Sequence, residues 1–143
     1  MIYTPMTKKA MKLAFDTHKE QVDKTGLPYI FHPFYLATQM DSEESVTVAL
    51  LHDVVEDGDV SFSDLEKMGF SLNVIDALKL LTHDLSVDYM DYVRQISTNA
   101  LAKKVKLADL SHNSDLSRLD HITEFDLTRQ KKYLEAIKIL SGE

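Results

Sequence analysis

An apolar, helically spaced run takes in one imidazole and three carboxylates within six positions: Ala49-Leu50-Leu51-His52-Asp53-Val54-Val55-Glu56-Asp57. A helix that packs through such a stretch must compensate its polar groups, because a buried unpaired charge costs several kcal/mol, of order 3–5. A divalent cation is one compensation, and it would turn the burden into a site. The fold must then bring further ligands to this segment from elsewhere in the chain.

The rest of the sequence is helical in period. Only four glycines and three prolines interrupt it. Thr4-Pro5 reads as an N-cap and a first-turn proline, and Met6 to Val22 places Ala10, Leu13 and Ala14 on one stripe, with Phe15 beside them. Residues 23–28 read as a turn. Pro33 is placed to open a second helix carrying Phe34, Leu36, Ala37 and Met40. Asp41 with Glu44 resembles a capping box for the helix holding His52 and Asp53, which Gly58 ends. Ser63 with Glu66 resembles another, before a short helix ending near Gly69. Ser71 to Leu81, Ser86 to Ser97 and Ala100 to His112 each repeat near 3.6 residues. Asp126 caps a last helix, with Tyr133, Leu134, Ile137 and Leu140 inward and Gly142 as its stop. No strand alternation, repeat or linker is visible. The expected fold is all-α, a compact bundle of about seven to eight helices in one domain spanning residues 1–143.

The chain of 143 residues is long enough to bury a core. No run approaches the roughly 18 apolar residues of a membrane span, and the N-terminus lacks a signal-peptide layout. Without cysteine, any metal must be held by His and carboxylate ligands, and a cytoplasmic location is the expectation. A net charge of −7 argues against a general nucleic-acid binder; a local lysine pocket and a metal would still admit a small phosphorylated ligand.

If residues 50–57 are helical, His52 and Asp53 can converge on an ion lying over the seam between them, and Glu56 is on a shared face. One nitrogen and one carboxylate oxygen suit Mn²⁺, Mg²⁺, Fe²⁺ or Zn²⁺. Lys106, Asp109 and Asn113 fall on one helix face at i, i+3 and i+7, offering a cation for phosphate, an anion for metal and an amide. His32 sits among apolar and aromatic residues. Each of these features alone has a plainer reading: His32 as a hydrogen-bonded core histidine, Glu56-Asp57 as a solvated helix end, Lys106-Asp109 as a surface pair, and His18, His83 and His121 likewise without function. The combination of His32, His52-Asp53 and Asp109 reverses that reading.

In this order the four residues reproduce the H…HD…D pattern of the HD superfamily of metal-dependent phosphohydrolases. The flanks resemble its RelA/SpoT-type alarmone hydrolase domain: residues 25–33 resemble S-G-x-P-Y-I-x-H-P, with Thr25 at the serine, residues 50–57 resemble L-L-H-D-V-V-E-D, and Val105 to Asp109 with Asn113 resemble V-K-L-A-D-x-x-x-N. The likeness runs from about Ala10 to Leu119, without the synthetase and regulatory domains of the long members. It implies an HD-type bundle, one Mn²⁺ held by His32, His52, Asp53 and Asp109, a Glu56-Asp57 pair that positions or deprotonates water, and Lys24, Thr25, Lys106 and Asn113 near substrate. The implied reaction cleaves the ribose 3′-oxygen to diphosphate linkage of guanosine tetra- or pentaphosphate and releases pyrophosphate.

Two departures bear on base recognition. The family's R-K pair is here Asp23-Lys24, and an aspartate cannot offer a cationic planar stack. Two arginines around H-N are replaced by Leu110 and Asp115, which leaves Arg118 as a substitute. The alternatives are a nucleoside monophosphate phosphohydrolase, which would release orthophosphate, and a non-catalytic metal- or nucleotide-sensing module. The retained Glu56 and Asp57 argue against the latter. Oligomeric state and base specificity are not readable from the residues.

Overall fold

Thr4 starts the first helix by reciprocal capping: its hydroxyl accepts from the Thr7 amide at 3.2 Å, and the Thr7 hydroxyl accepts from the Thr4 amide at 2.8 Å. The structure, a computed structural model, describes residues 1–142. The helices among them are α1 (Pro5–His18), α2 (Phe31–Thr38), α3 (Glu43–Leu51), α4 (Val54–Asp57), α5 (Phe62–Lys67), α6 (Leu72–Leu81), α7 (Tyr89–Ile96), α8 (Ala100–Asn113) and α9 (Glu124–Ser141), with a 3₁₀ turn at Leu116–Arg118 before α9. One isolated antiparallel bridge, Val22 to Pro28, closes the turn after α1. The expected all-α bundle is what forms; the count reaches nine because one expected helix is divided into α3 and α4.

That division matters for function. Every residue from Ser45 to Leu51 is buried, and α3 packs against α1, α2, α6 and α8. The helix stops where the apolar run stops. His52 is its C-cap, Asp53 lies off the helical region at φ −112°, ψ 4°, and α4 resumes at Val54. The His52 ring turns back to the Ala49 carbonyl, 2.7 Å from Nδ1. The break at Asp53 directs two adjacent side chains to one place, which a continuous helix would set about 100° apart.

Other boundaries differ from expectation for local reasons. α2 begins at Phe31, ahead of Pro33, so the proline occupies the first turn, where its missing N–H is no loss; His32 thereby becomes a helix residue. The box that starts α3 is Ser42 with Ser45, not Asp41 with Glu44, because the Asp41 carboxylate is taken by Lys104. The α5 box is Ser61 with Asp64, not Ser63 with Glu66. Asp126 is the third residue of a box whose cap is Thr123. On α9, Ala136 and Leu140 are buried while Tyr133 and Ile137 pack partly against the core, an i, i+3, i+4, i+7 stripe. Leu134 falls off that stripe and is exposed, as is Phe15 on α1. No described helix is long and apolar enough to cross a membrane.

Gly58, the residue that ends α4, is required by close approach. A Cβ there would lie 2.8 Å from Thr17 Cγ2 and 3.0 Å from the Val54 carbonyl oxygen, so α1 and α4 could not keep their spacing. Gly58→Ala is expected to lower stability by about 1–3 kcal/mol, read as a shift in the urea unfolding midpoint. An unchanged midpoint would show that α1 yields freely here.

Candidate metal and phosphate site

Three elements meet at the centre of the molecule. α2 supplies His32, the α3–α4 junction supplies His52 and Asp53, and the middle of α8 supplies Asp109. His32, His52 and Asp109 are buried and offer ligand atoms within 4.8 Å of one another. His32 Nε2 is 2.8 Å from Asp109 Oδ1, and His52 Nε2 is 3.6 Å from the same oxygen and 3.1 Å from Asp53 Oδ2. Despite these neighbours, His52 Nε2 is buried without a hydrogen-bond partner: the carboxylates flank it but lie off the direction its N–H would need. Two imidazole nitrogens and carboxylate oxygens converging on one point, one nitrogen unpartnered, are what a divalent cation needs, and the residues fit one.

The electrostatics agree. Burial alone would lower the His52 pKa, but the Asp53 and Asp109 carboxylates overcome it and raise it well above the usual histidine value. Burial alone would raise Asp53 and Asp109. His52 is the chief influence holding Asp53 below the carboxylate range, and Lys106 with His32 and His52 holds Asp109 well below it. The cluster is anionic enough to keep a positive charge at its centre.

Lys106, Asp109 and Asn113 share a face of α8 as their spacing predicts. Lys106 Nζ donates to Asp109 Oδ2 at 3.1 Å and Asn113 Nδ2 to Oδ1 at 2.9 Å. The pair is not the surface contact that its spacing alone suggested: the two side chains are only 13% and 10% exposed, and the Asp109 charge raises the Lys106 pKa against the effect of burial.

Hollows open on two sides of the cluster. The smaller, about 120 Å³, is lined by His52, Asp53, Glu56, Lys106 and Asp109 with Tyr89 among the aromatic residues of its far wall. The larger, about 430 Å³, includes Lys24, Thr25, Tyr29, Asn113, Arg118 and Arg129. Thus Glu56 and Lys106 face one hollow, and Lys24, Thr25 and Asn113 the other. Glu56 accepts a hydrogen bond from the His83 amide at 2.9 Å; burial raises its pKa, with the Asp53 and Asp57 charges adding to the effect. Asp57 turns away from Glu56 towards α1, where it accepts from Gln21 Nε2 at 3.3 Å and lies 3.9 Å from His18 Nδ1.

Several neighbours were not singled out by the sequence as part of the site. The Tyr29 hydroxyl donates to Asp53 Oδ2. His112 Nδ1 lies 2.7 Å from His32 Nδ1 with the rings stacked, and Tyr35 stacks on His112. Burial and the Arg118 guanidinium bring the His112 pKa down to about 4, so its ring is neutral, and the His32 ring is held between it and Asp109 Oδ1. The adjacency of His112 to Asn113 is the one hint of this in the sequence. His18, expected to be without function, is buried and meets Gln21. The His83 imidazole meets the Val87 carbonyl, and it is the backbone amide of this residue that holds Glu56.

Bundle and site together define an all-α domain with a buried His-His-Asp cluster of metal-binding character. No family model matches the chain, but individual relatives do. Over 129 residues, 80% of this chain and 71% of the relative, it is 35% identical to the guanosine-3′,5′-bis(diphosphate) 3′-pyrophosphohydrolase MESH1 of Danio rerio. The Drosophila melanogaster protein of the same name is 31% identical over 138 residues, 87% of this chain and 76% of that one. A solved structure described as a metazoan ortholog of SpoT that hydrolyses ppGpp superposes with a TM-score of 0.77 at 28% identity, covering 99% of this chain and 89% of the other. The chain belongs to the guanosine-3′,5′-bis(diphosphate) 3′-pyrophosphohydrolase family.

Removing the lysine that neutralises Asp109 tests the charge balance directly. Lys106→Met, compared with the parent in chelator, is expected to lose about 3 kcal/mol of stability in urea unfolding. A variant as stable as the parent would mean that His32, His52 and Asn113 suffice for the Asp109 charge.

Proposed function

We propose that this chain is a divalent-metal-dependent hydrolase of guanosine-3′,5′-bis(diphosphate), acting at the 3′-diphosphate, with Mn²⁺ as the ion held by His32, His52, Asp53 and Asp109. The observation that carries the reading is the unpartnered His52 Nε2 among converging carboxylates, with the raised Glu56 carboxyl on the wall of the same hollow. The names of the relatives support the substrate, and the absence of cysteine suits a reducing cytoplasm.

Such an ion lowers the pKa of water and polarises a phosphoryl oxygen when bound. The protein does the rest. Glu56, held by the His83 amide, accepts the proton of the attacking water. The water oxygen bonds to the phosphorus attached to the ribose 3′-oxygen, the bond from that 3′-oxygen to phosphorus breaks, and the proton is returned to the 3′-oxygen. Pyrophosphate and guanosine 5′-diphosphate leave. Lys106 stabilises charge on the phosphoryl oxygens, while Lys24, Thr25 and Asn113 hold the nucleoside side of the substrate in the larger hollow. Asp57 shapes the α1–α4 contact through Gln21.

The test separates products. Metal-loaded protein with guanosine-3′,5′-bis(diphosphate) is expected to yield pyrophosphate, and nucleoside monophosphates no orthophosphate; the reverse pattern would make it a monophosphate phosphohydrolase, and stoichiometric metal without turnover a sensor. Asp109→Ala is expected to lose metal and turnover together. Glu56→Gln should keep the metal and lose about 10²–10⁴-fold in kcat, the usual share of general base catalysis. Equal metal loss in both variants would contradict this division of roles.

A further inference from the structure

We propose that the Tyr89 hydroxyl, with Lys106, forms a phosphoryl-binding subsite in the smaller hollow, which takes the terminal phosphate of the substrate's 3′-diphosphate. This rests on the hydrolase reading above and assigns a part of the substrate to a place that the metal ligands do not specify.

The Tyr89 oxygen is buried and has no hydrogen-bond partner in the protein. Such a group is costly to leave unpaired, and phenylalanine would supply the same ring packing without it. The other polar groups on that wall are already engaged. The Tyr92 hydroxyl donates to the Leu81 carbonyl at 2.6 Å, and His83 Nε2 meets the Val87 carbonyl at 2.8 Å. Tyr89 is therefore the wall's uncommitted hydroxyl donor. Burial raises its pKa, so it keeps the proton it would donate.

Its surroundings favour an anion. Lys106 Nζ lines the same hollow and gives one hydrogen bond to Asp109, leaving donors for a second acceptor. Lys132 Nζ, from an exposed residue of α9, lies 4.5 Å from the centroid of the Tyr89 ring. The carboxylate in the hollow outside the cluster, Glu56, is held by the His83 amide, at the position where water would be deprotonated. At about 120 Å³ the hollow has room for a phosphoryl group, whereas the cavity of about 430 Å³ across the cluster has room for a nucleoside. A 3′-diphosphate reaching past the cluster would present its reacting phosphorus to Glu56 and its outer phosphate to Tyr89 and Lys106.

The experiment is a calorimetric titration of metal-loaded protein with inorganic pyrophosphate and, separately, with guanosine 5′-diphosphate, in the parent and in Tyr89→Phe. The variant is expected to bind pyrophosphate about tenfold to a hundredfold more weakly, to bind guanosine 5′-diphosphate and metal unchanged, and to melt no lower than the parent. Undiminished pyrophosphate affinity would overturn the subsite, as would equal weakening for both ligands, which would mark Tyr89 as structural. Tyr89-dependent pyrophosphate binding without turnover of guanosine-3′,5′-bis(diphosphate) would keep the subsite and overturn the hydrolase reading.

Discussion

A single carboxylate ties the helices of this bundle together at its centre. Asp109 is buried on α8, and its oxygens meet His32 from α2 at 2.8 Å, Lys106 at 3.1 Å and Asn113 at 2.9 Å, with His52 of the α3–α4 junction 3.6 Å away. Without those partners its charge would be too costly to bury. With them, three helices are held at a fixed separation, and the point between their side chains has the donor set of a cation site. The arrangement that stabilises the fold around Asp109 is thus the one that prepares it to hold a metal, and α8 cannot be repacked without altering both.

How much of this was legible in the sequence depends on how local the determining physics is. The helical period and the all-α class were readable because apolar spacing is local. The joining of His32, His52 and Asp109 was readable because polar residues on apolar faces need one another. The break after Leu51 was not, since nothing in the type of His52 or Asp53 forbids a continuous helix; tertiary packing decides it. Capping was misassigned at Asp41 because that carboxylate pairs with Lys104, a contact 63 residues away in the chain. The polar contacts of Tyr29, His112 and Tyr89 were silent for the same reason. An aromatic residue reads as core until its polar atom is seen to touch Asp53 or His32, or to touch nothing.

Asp23 shows how an apparent loss can be structural. Where the resembling family carries an arginine, its carboxylate accepts from the Thr25 amide and hydroxyl at 2.8 and 2.6 Å and from the Leu27 amide at 3.1 Å, fixing the turn that carries Lys24 and Thr25. Burial works against its ionisation, but these donors and Arg118 keep its pKa low. Arg118, 3.6 Å from Asp23, also donates to the His112 carbonyl at 2.9 Å. A guanidinium is therefore present on this cavity, delivered from the 3₁₀ turn rather than from the α1–α2 turn and paired with Asp23.

The same redistribution explains how a chain of net charge −7 can receive a polyanion. The acidic surplus lies largely on exposed surfaces, where salt screens it over about 10 Å. Lys24, Arg118 and Arg129 line one side of the cluster and Lys106 the other. Between them, His52 and its carboxylates hold the place of a further positive charge. Lys106, Arg118 and Arg129 are partly buried and act through a lower effective dielectric than the surface carboxylates do, so the field felt inside the two hollows is set by a few groups rather than by the total. A ligand with phosphates at both ends of a ribose matches that distribution, one cationic region on either side of the cluster that would cleave it.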